Sequence, residues 1–151
     1  FAEIIHRDLE LDVLHLEGGG AAGGMGAGLY AFCGAKLRPG IEIVTDALHL
    51  ADIVADADLV ITGEGRIDSQ TIHGKVPVGV ARVAKRYNLP VIAIAGSLTA
   101  DVGVVHEHGL DAVFSVIYSI CTLDEALENA AENVRMTARN VAAVLKMGQV
   151  L

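Results

Sequence analysis

Tryptophan is absent from this sequence, and three phenylalanines and three tyrosines are its only aromatic residues. The core must therefore be built from Ala, Val, Ile and Leu, and there is no supply of rings on which nucleic-acid bases could stack. Basic residues are also scarce: eleven Lys and Arg stand against nineteen Asp and Glu, a formal charge of −8. Nucleic acid and anionic membrane surfaces both want a basic face, so the balance argues against either partner. No apolar run reaches the roughly 18 residues of a membrane span. The two cysteines, Cys33 and Cys121, lie far apart in apolar sequence. That is too few for a disulfide framework, and the expectation is two buried, reduced thiols in a cytoplasmic protein. Only three prolines occur against 17 glycines, which points to tight turns and close backbone approaches rather than stiff linkers.

What remains is rich in aliphatic residues. Apolar residues make up 52% and charged residues 20% of 151 residues, which argues against intrinsic disorder and fits one domain or the adjoining parts of two. The chain opens on Phe1, inside what reads as a helix and without a charged-then-apolar leader, so a fragment of something longer is expected.

Residues 2–9 read as the end of an amphipathic helix, Val13–Leu16 as a short strand, and Leu29–Cys33 as helical after a Gly/Ala stretch. Ile41–Val44 reads as a strand and Leu48–Val54 as a short helix. From residue 58 a rhythm sets in. Strands Asp58–Thr62, Val91–Ala95 and Ala112–Val116 alternate with helices Val76–Tyr87, Asp101–His108 and one running from Thr122 to about Lys146. Thr122 and Glu125 have capping-box spacing. The expected buried stripes are Val76, Val80, Val83, Ala84 and Tyr87 on one helix, and Leu127, Ala130, Ala131, Val134, Ala138, Val141 and Leu145 on the last. The strands are continuous apolar runs, the mark of parallel strands covered on both faces, so the fold class is α/β with a layered parallel sheet.

Ligands of open parallel sheets bind beyond the carboxyl ends of the strands. Three such exits carry glycines and hydroxyls: Gly63–Thr71, read as a polar loop; Gly96-Ser-Leu-Thr99; and Tyr118, Ser119 and Thr122. Charge is unevenly placed. Residues 41–58 hold five acids and no Lys or Arg, whereas residues 63–86 hold Arg66, Lys75, Arg82, Lys85 and Arg86 against Glu64 and Asp68. Arg82, Lys85 and Arg86 read as a solvated helix face. Arg66 and Lys75 flank a glycine-bearing loop that feeds a helix N-terminus, where free N–H groups favour an anion; structural pairing with Glu64 or Asp68 is the alternative. The loop is not a Walker A motif, because Val76 follows Gly74-Lys75. His73 lies in the same loop and is a weaker ligand candidate.

Gly18-Gly-Gly-Ala-Ala-Gly23, followed by Asp46, matches the dinucleotide pattern Gly-x-Gly-x-x-Gly. Any Gly-rich stretch can match it. Gly23, Gly24, Gly26 and Gly28 inside one helix would cost about 3–4 kcal/mol relative to alanine. Close packing or a hinge, contact of a phosphate or substrate with Gly23 and Gly24, and a nicotinamide fingerprint are all readings of that loss.

The stretch Asp58-Leu-Val-Ile-Thr-Gly-Glu-Gly-Arg-Ile-Asp-Ser-Gln-Thr-Ile-His-Gly-Lys-Val-Pro77 closely resembles the bacterial two-lobed glycerate kinase family. Gly18–Gly28, Leu37-Arg-Pro-Gly-Ile41 and Ala95-Gly-Ser-Leu98 match as well, so the resemblance covers essentially the whole chain, aligned to the family's C-terminal part. It implies ATP-dependent phosphorylation of D-glycerate, usually at the 2-hydroxyl, with Mg²⁺. It also implies a flavodoxin-like lobe interrupted by a lobe with a restriction-enzyme-like core. Residues 1–66 would then end the inserted lobe and 67–151 form the C-terminal half of the flavodoxin-like lobe. The family's N-terminal Asp-Ser-Tyr/Phe-Lys and Asp-Gly-Gly-Glu-Gly motifs, and a Gly-Gly-Ser-Ala-Thr-Asn-type loop, are not in this sequence, so the partner expected is the N-terminal part of the same protein and the isolated piece is expected to be inactive. A homo-oligomer is also compatible.

Within that resemblance Asp68 is the candidate base or Mg²⁺ anchor. Arg66 suits the glycerate carboxylate or the moving phosphoryl group, and Lys75 suits phosphate. Glu64 would orient Arg66 or hold Mg²⁺. Gly63, Gly65, Ser69, Gly96 and Ser97 complete the expected binding set, and the four charged roles remain interchangeable at this stage. Two readings from other classes stand beside this one: a non-catalytic α/β binding or assembly module, and half of a nicotinamide-dependent oxidoreductase.

Overall fold

Uninterrupted Val, Ile and Ala runs become parallel strands in the computed structural model, which describes residues 1–148. The chain divides into two units, Phe1–Ile43 and Val44 onward.

The first unit contains α1 (Ala2–Leu9), α2 (Ala21–Cys33) and the first half of α3 (Gly40–Ala47). Ile5, Val13 and Ala27 are its buried centre. Val13–Leu16 is a turn, not the expected strand: Asp12 accepts from the Leu14 N–H at 3.0 Å, and no neighbouring strand offers a ladder. Ile41–Val44 lies in helix α3, again not a strand. The Pro39 carbonyl accepts from the N–H groups of Glu42 and Ile43, and Arg38 pairs one turn on with Glu42. The four-glycine helix also needs correction. Ala22, Gly23 and Gly24 have φ of 50°, 70° and 93°, a left-handed turn that interrupts α2. Glycine is favoured at such positions, so only Gly26 and Gly28 bear the helical cost. Gly26 has a packing reason: a Cβ there would collide with the Gly18 carbonyl oxygen.

The second unit runs α4 (Leu50–Val54), β1 (Val60–Ile67), a 3₁₀ turn (Ser69–Ile72), α5 (Val76–Lys85), β2 (Val91–Leu98), a 3₁₀ helix (Val102–His108), β3 (Ala112–Ser115), α6 (Leu123–Glu128) and α7 (Ala130–Gly148). The strands pair in parallel in the order β1-β2-β3, with Val60 opposite Val91 and Ile92 opposite Ala112. One sheet face packs Val60, Ile67, Val91, Ala93 and Ala95 against Ala81 and Ala84 of α5 and against Val105. α5 buries Pro77, Val78, Ala81, Val83 and Ala84, whereas Val76 and Tyr87 of the expected stripe are exposed.

Three further differences matter for the site. β1 does not stop at Thr62 but continues to Ile67, so most of the predicted loop 63–71 is strand followed by a 3₁₀ turn. Ile67 is fully buried and its carbonyl accepts from the Thr99 N–H, which keeps the edge of the ladder closed. The last helix is two helices. Thr122 and Glu125 form the expected capping box, but the chain breaks at Asn129, whose amide donates back to the Glu125 carbonyl at 2.8 Å. α7 buries Asn133, Thr137 and Val141, while Leu127 and Val134 are exposed. Both cysteines are free and exposed rather than buried. No described helix is long and apolar enough to cross a membrane.

Candidate functional site

Because the three strands are parallel, their carboxyl ends lie along one edge of the sheet, and the polar residues that follow them are gathered there. β1 carries Glu64 and Arg66 into this edge, and the chain then turns sharply at Asp68. Asp68 is the N-cap of the 3₁₀ turn: its Oδ1 accepts from the Gln70 N–H at 3.0 Å, and Thr71 returns its hydroxyl to the Asp68 backbone N–H at 3.1 Å. Lys75 is the N-cap of α5, and its Nζ reaches back to Asp68 Oδ1 at 3.3 Å and Glu64 Oε1 at 3.8 Å. Arg66 Nε stands 3.6 Å from Asp68 Oδ2. Two carboxylates and two cations thus form one cluster around Asp68.

The members differ in how firmly they are held. Arg66 is 65% exposed and loosely paired; Lys75 is half as exposed and touches both acids. Burial alone would raise the Asp68 carboxyl, but the Lys75 hydrogen bond and charge, with the Gln70 N–H and the Thr71 hydroxyl, hold it below the usual carboxylate range. Asp68 is therefore ionised at neutral pH. Glu64 Oε2 is buried and has no hydrogen-bond partner among the described residues. A carboxylate oxygen left so is costly and calls for a donor or cation from outside the described residues.

Glu64 also lines an open groove of 760 Å³ on the sheet face opposite α5. Thr62, Gly63, Gly65, Gly96 and Ser97 form its polar end, and Ile61, Ile94, Leu127 and Val134 its apolar flank. The next exit loop joins the same edge. The Thr99 hydroxyl donates to Asp101, and the hydroxyl of Ser69, which directly follows Asp68, helps Thr99 hold the Asp101 carboxyl below the usual range.

The model of the glycerate kinase family matches residues 1–146. The chain belongs to the glycerate kinase family. It is 64% identical over 148 residues to the glycerate 2-kinase of Escherichia coli K12, covering 98% of this chain and 39% of that protein. It is 49% identical over 151 residues to the glycerate kinase of Bacillus subtilis 168, covering 40% of it. The crystal structure of “putative glycerate kinase 2” from Salmonella typhimurium LT2 superposes with a TM-score of 0.76 at 77% identity, over 99% of this chain and 38% of that one. The chain thus spans about two-fifths of the length of the glycerate kinases it matches.

Of the residues picked from the sequence, Glu64, Arg66, Asp68 and Lys75 come together as one cluster, and Gly63, Gly65, Gly96 and Ser97 line the groove that Glu64 borders. Ser69 touches the second exit loop. His73 is exposed at the C-cap of the 3₁₀ turn. Gly23 and Gly24 belong to the first unit and are described with it. The dinucleotide reading of Gly18–Gly23 lacks its structural context, since a turn rather than a strand precedes it and Asp46 sits in helix α3. Lys85 is more than a solvated cation: its Nζ binds Asp111 at 2.6 Å and the Leu89 carbonyl at 3.0 Å. Sequence reasoning passed over Asp101. The Thr-x-Asp spacing of Thr99 and Asp101, a side chain–side chain turn at a strand exit, was the available signal.

Proposed function

We propose that the protein containing this chain transfers the γ-phosphoryl group of ATP to D-glycerate, giving 2-phosphoglycerate, and that the Glu64–Arg66–Asp68–Lys75 cluster supplies part of its active site. The observation that carries this reading is the cluster itself: both cations and both acids singled out in the longest family-like stretch converge where the strands of a parallel sheet end. Phosphoryl transfer asks chiefly for positioning and charge neutralisation, which such a cluster offers.

The geometry also divides the labour. Arg66 is loosely tethered and exposed, so its fork can leave Asp68 and clasp a carboxylate or phosphoryl group with two parallel hydrogen bonds. Lys75 stays between the two acids and acts as a fixed point charge. Asp68 Oδ1 is occupied by three donors, so Oδ2 is the oxygen with capacity for a substrate hydroxyl. Its lowered pKa makes it a weak base, which suits holding and orienting that hydroxyl better than stripping its proton. Among the described residues no three His, Cys, Asp or Glu side chains gather as a metal site. Mg²⁺ needs only one or two carboxylates beside water and substrate phosphate, and the unmatched Oε2 of Glu64 with Asp68 fits that demand. When bound, the ion would neutralise phosphate charge. Gly63, Gly65, Ser69, Gly96, Ser97 and His73 would line the substrate path; Gly23 and Gly24, in the left-handed turn of the first unit, stand as a separate candidate for substrate contact.

The lobe assignment, with residues 1–66 closing an inserted lobe and 67–151 completing a flavodoxin-like one, a cytoplasmic setting, and completion of the site by the N-terminal part of the same protein belong to this proposal. The test is a coupled assay of ADP release. Full-length protein should show turnover that requires ATP, Mg²⁺ and D-glycerate together, and residues 1–151 alone should show none. Full-length protein that binds D-glycerate without ATP-dependent turnover would point to a binding module and refute the reading.

A further inference from the structure

We infer that Asp101 is a positioning residue for Asp68, fixing the β1 exit against the β2 exit through Thr99 and Ser69. The inference rests on the reading of Asp68 as part of the active site. Its own basis is the geometry of the two exits. Asp68 and Ser69 begin the turn that leaves β1, and Thr99 and Asp101 begin the turn that leaves β2. The Thr99 N–H donates to the Ile67 carbonyl at 3.3 Å, one residue before Asp68. The Thr99 hydroxyl lies 3.5 Å from the same carbonyl but has a single proton, and the far closer Asp101 Oδ1 takes it. The Ser69 hydroxyl, one residue after Asp68, is close enough to help lower the Asp101 carboxyl. The β2 exit thus holds Ile67 through Thr99, itself tied to Asp101, and sets Asp101 beside Ser69.

Thr71 is fully buried and Ile72 packs on the core, which anchors the far end of the turn; the bridge acts on its beginning. The contacts Asp68 makes with Gln70, Thr71 and Lys75 all come from its own turn and the helix that follows. They set the shape of the 3₁₀ turn but not its position over the sheet. Asp101 adds no ligand to the substrate; it ties the turn to a neighbouring strand. Because misplacement by about 1 Å costs about 10²-fold in rate, loss of that tie should appear in turnover rather than in binding.

The experiment uses full-length protein carrying Asp101→Ala, Asp101→Asn, Asp68→Asn and the double variant Asp68→Asn/Asp101→Ala. Steady-state kinetics are paired with hydrogen–deuterium exchange of the peptide covering residues 67–73. Asp101→Ala should lower kcat by about 10- to 100-fold with KM for ATP and glycerate within about twofold, and should speed exchange in that peptide. Asp101→Asn keeps an acceptor oxygen in place and should recover most of the loss. In the Asp68→Asn background, Asp101→Ala should cost nothing further. Normal kcat and exchange in Asp101→Ala would overturn the inference. So would an equal loss with and without Asp68, because Asp101 would then act on its own. If Asp68→Asn is silent, the reading of the site fails and positioning for catalysis with it; the exchange result would still decide separately whether Asp101 holds the turn.

Discussion

Gly96→Ala should destabilise the sheet while Gly65→Ala, directly across the ladder, should not. The two glycines lie opposite each other between the paired residues Glu64–Ala95 and Arg66–Ser97. A Cβ on Gly96 would collide with the Gly65 carbonyl oxygen and sit 3.3 Å from its carbon. The obstacle is backbone, held by ladder pairs on both sides, so relief requires the strands to part. Crowding of this kind typically costs about 1–3 kcal/mol, which corresponds to a fall in melting temperature of about 5 °C for a domain of this size. A Cβ on Gly65 would meet nothing within 4 Å, and its φ is not in the left-handed region. Gly65→Ala should therefore melt within about 1 °C of the parent, as surface changes do. Thermal melts of the full-length variants, followed by a probe in this unit, decide the matter. Equal melting temperatures for the two variants would refute the argument. The contrast also bears on function. Gly63, whose Cβ would lie 2.6 Å from the Ile94 carbonyl oxygen, and Gly96 are both explained by strand approach; Gly65 is not, and it borders the groove. If a ligand passes close to it, Gly65→Ala should raise KM for ATP or glycerate while leaving stability unchanged.

Asp68→Asn in full-length protein should lower kcat by about 10²-fold, the loss expected when the reacting hydroxyl is no longer held in place, with a smaller change in KM for ATP. A lowered melting temperature at near-normal kcat would assign the side chain to its capping role alone. Asp111 accepts from Lys85 and from the Val91 N–H, both at 2.6 Å, and these hold its carboxyl below the usual range. A depressed folded-state value means the stabilisation is present above about pH 4, the ordinary aspartate value, and is lost as pH falls through the folded value. Melting temperatures of the parent and Asp111→Asn should therefore differ at pH 7 and converge below about pH 4; a gap independent of pH would refute the charge argument. In the first unit, Gly26→Ala should destabilise by about 1–3 kcal/mol because the Gly18 carbonyl is in the way, whereas Gly20→Ala, with open space around it, should be neutral. Denaturant midpoints of the two variants make the comparison.

The second unit was largely legible in the sequence because its signals are redundant. Each strand is a short continuous apolar run bounded by turn residues, and each is followed by a glycine or a hydroxyl. Alternating with helical segments, such runs supply one another with parallel partners. The first unit was not legible in the same way. Val13–Leu16 and Ile41–Val44 are β-prone quartets, yet neither finds a neighbouring strand. Asp12 captures the first as a turn, and Pro39 starts a helix through the second. Strand propensity is realised only against a partner, whereas a cap or a proline acts locally. The last helix illustrates a different gap. Its apolar positions were visible, but Leu127 and Val134 line the open groove, whereas the buried positions are Asn133, Thr137 and Val141. Two of those three are polar, so an apolar stripe read from periodicity misses the face that is buried.

The site shows the same division between what is local and what is assembled. Glu64, Arg66, Asp68 and Lys75 fall within twelve residues; charge and glycine spacing singled out Arg66 and Lys75, and the family-like stretch added Glu64 and Asp68. Their roles were not readable, because these depend on which oxygen each cation occupies. Lys75 and Arg66 look equivalent as charges in a loop. Folded, Lys75 bridges two acids at 3.3 and 3.8 Å, while Arg66 touches one at 3.6 Å and is 65% exposed. With two acids and two bases the cluster carries no net charge, so the local positive balance of residues 63–86 is not freely available to an anion. An incoming carboxylate or phosphoryl group must displace one cation from its acid, and the weaker, more exposed pair yields first. That makes Arg66 the arm that reaches and Lys75 the post that stays. Arg66→Lys should therefore be nearly as damaging to KM for glycerate as Arg66→Ala, because a point charge cannot replace the two-oxygen grip of the guanidinium. Lys75→Arg, by contrast, keeps a cation but crowds the space between Glu64 and Asp68, and should lower kcat more than it raises KM. Steady-state kinetics on these three full-length variants test the assignment; a Lys at position 66 that restores parental KM would reverse it.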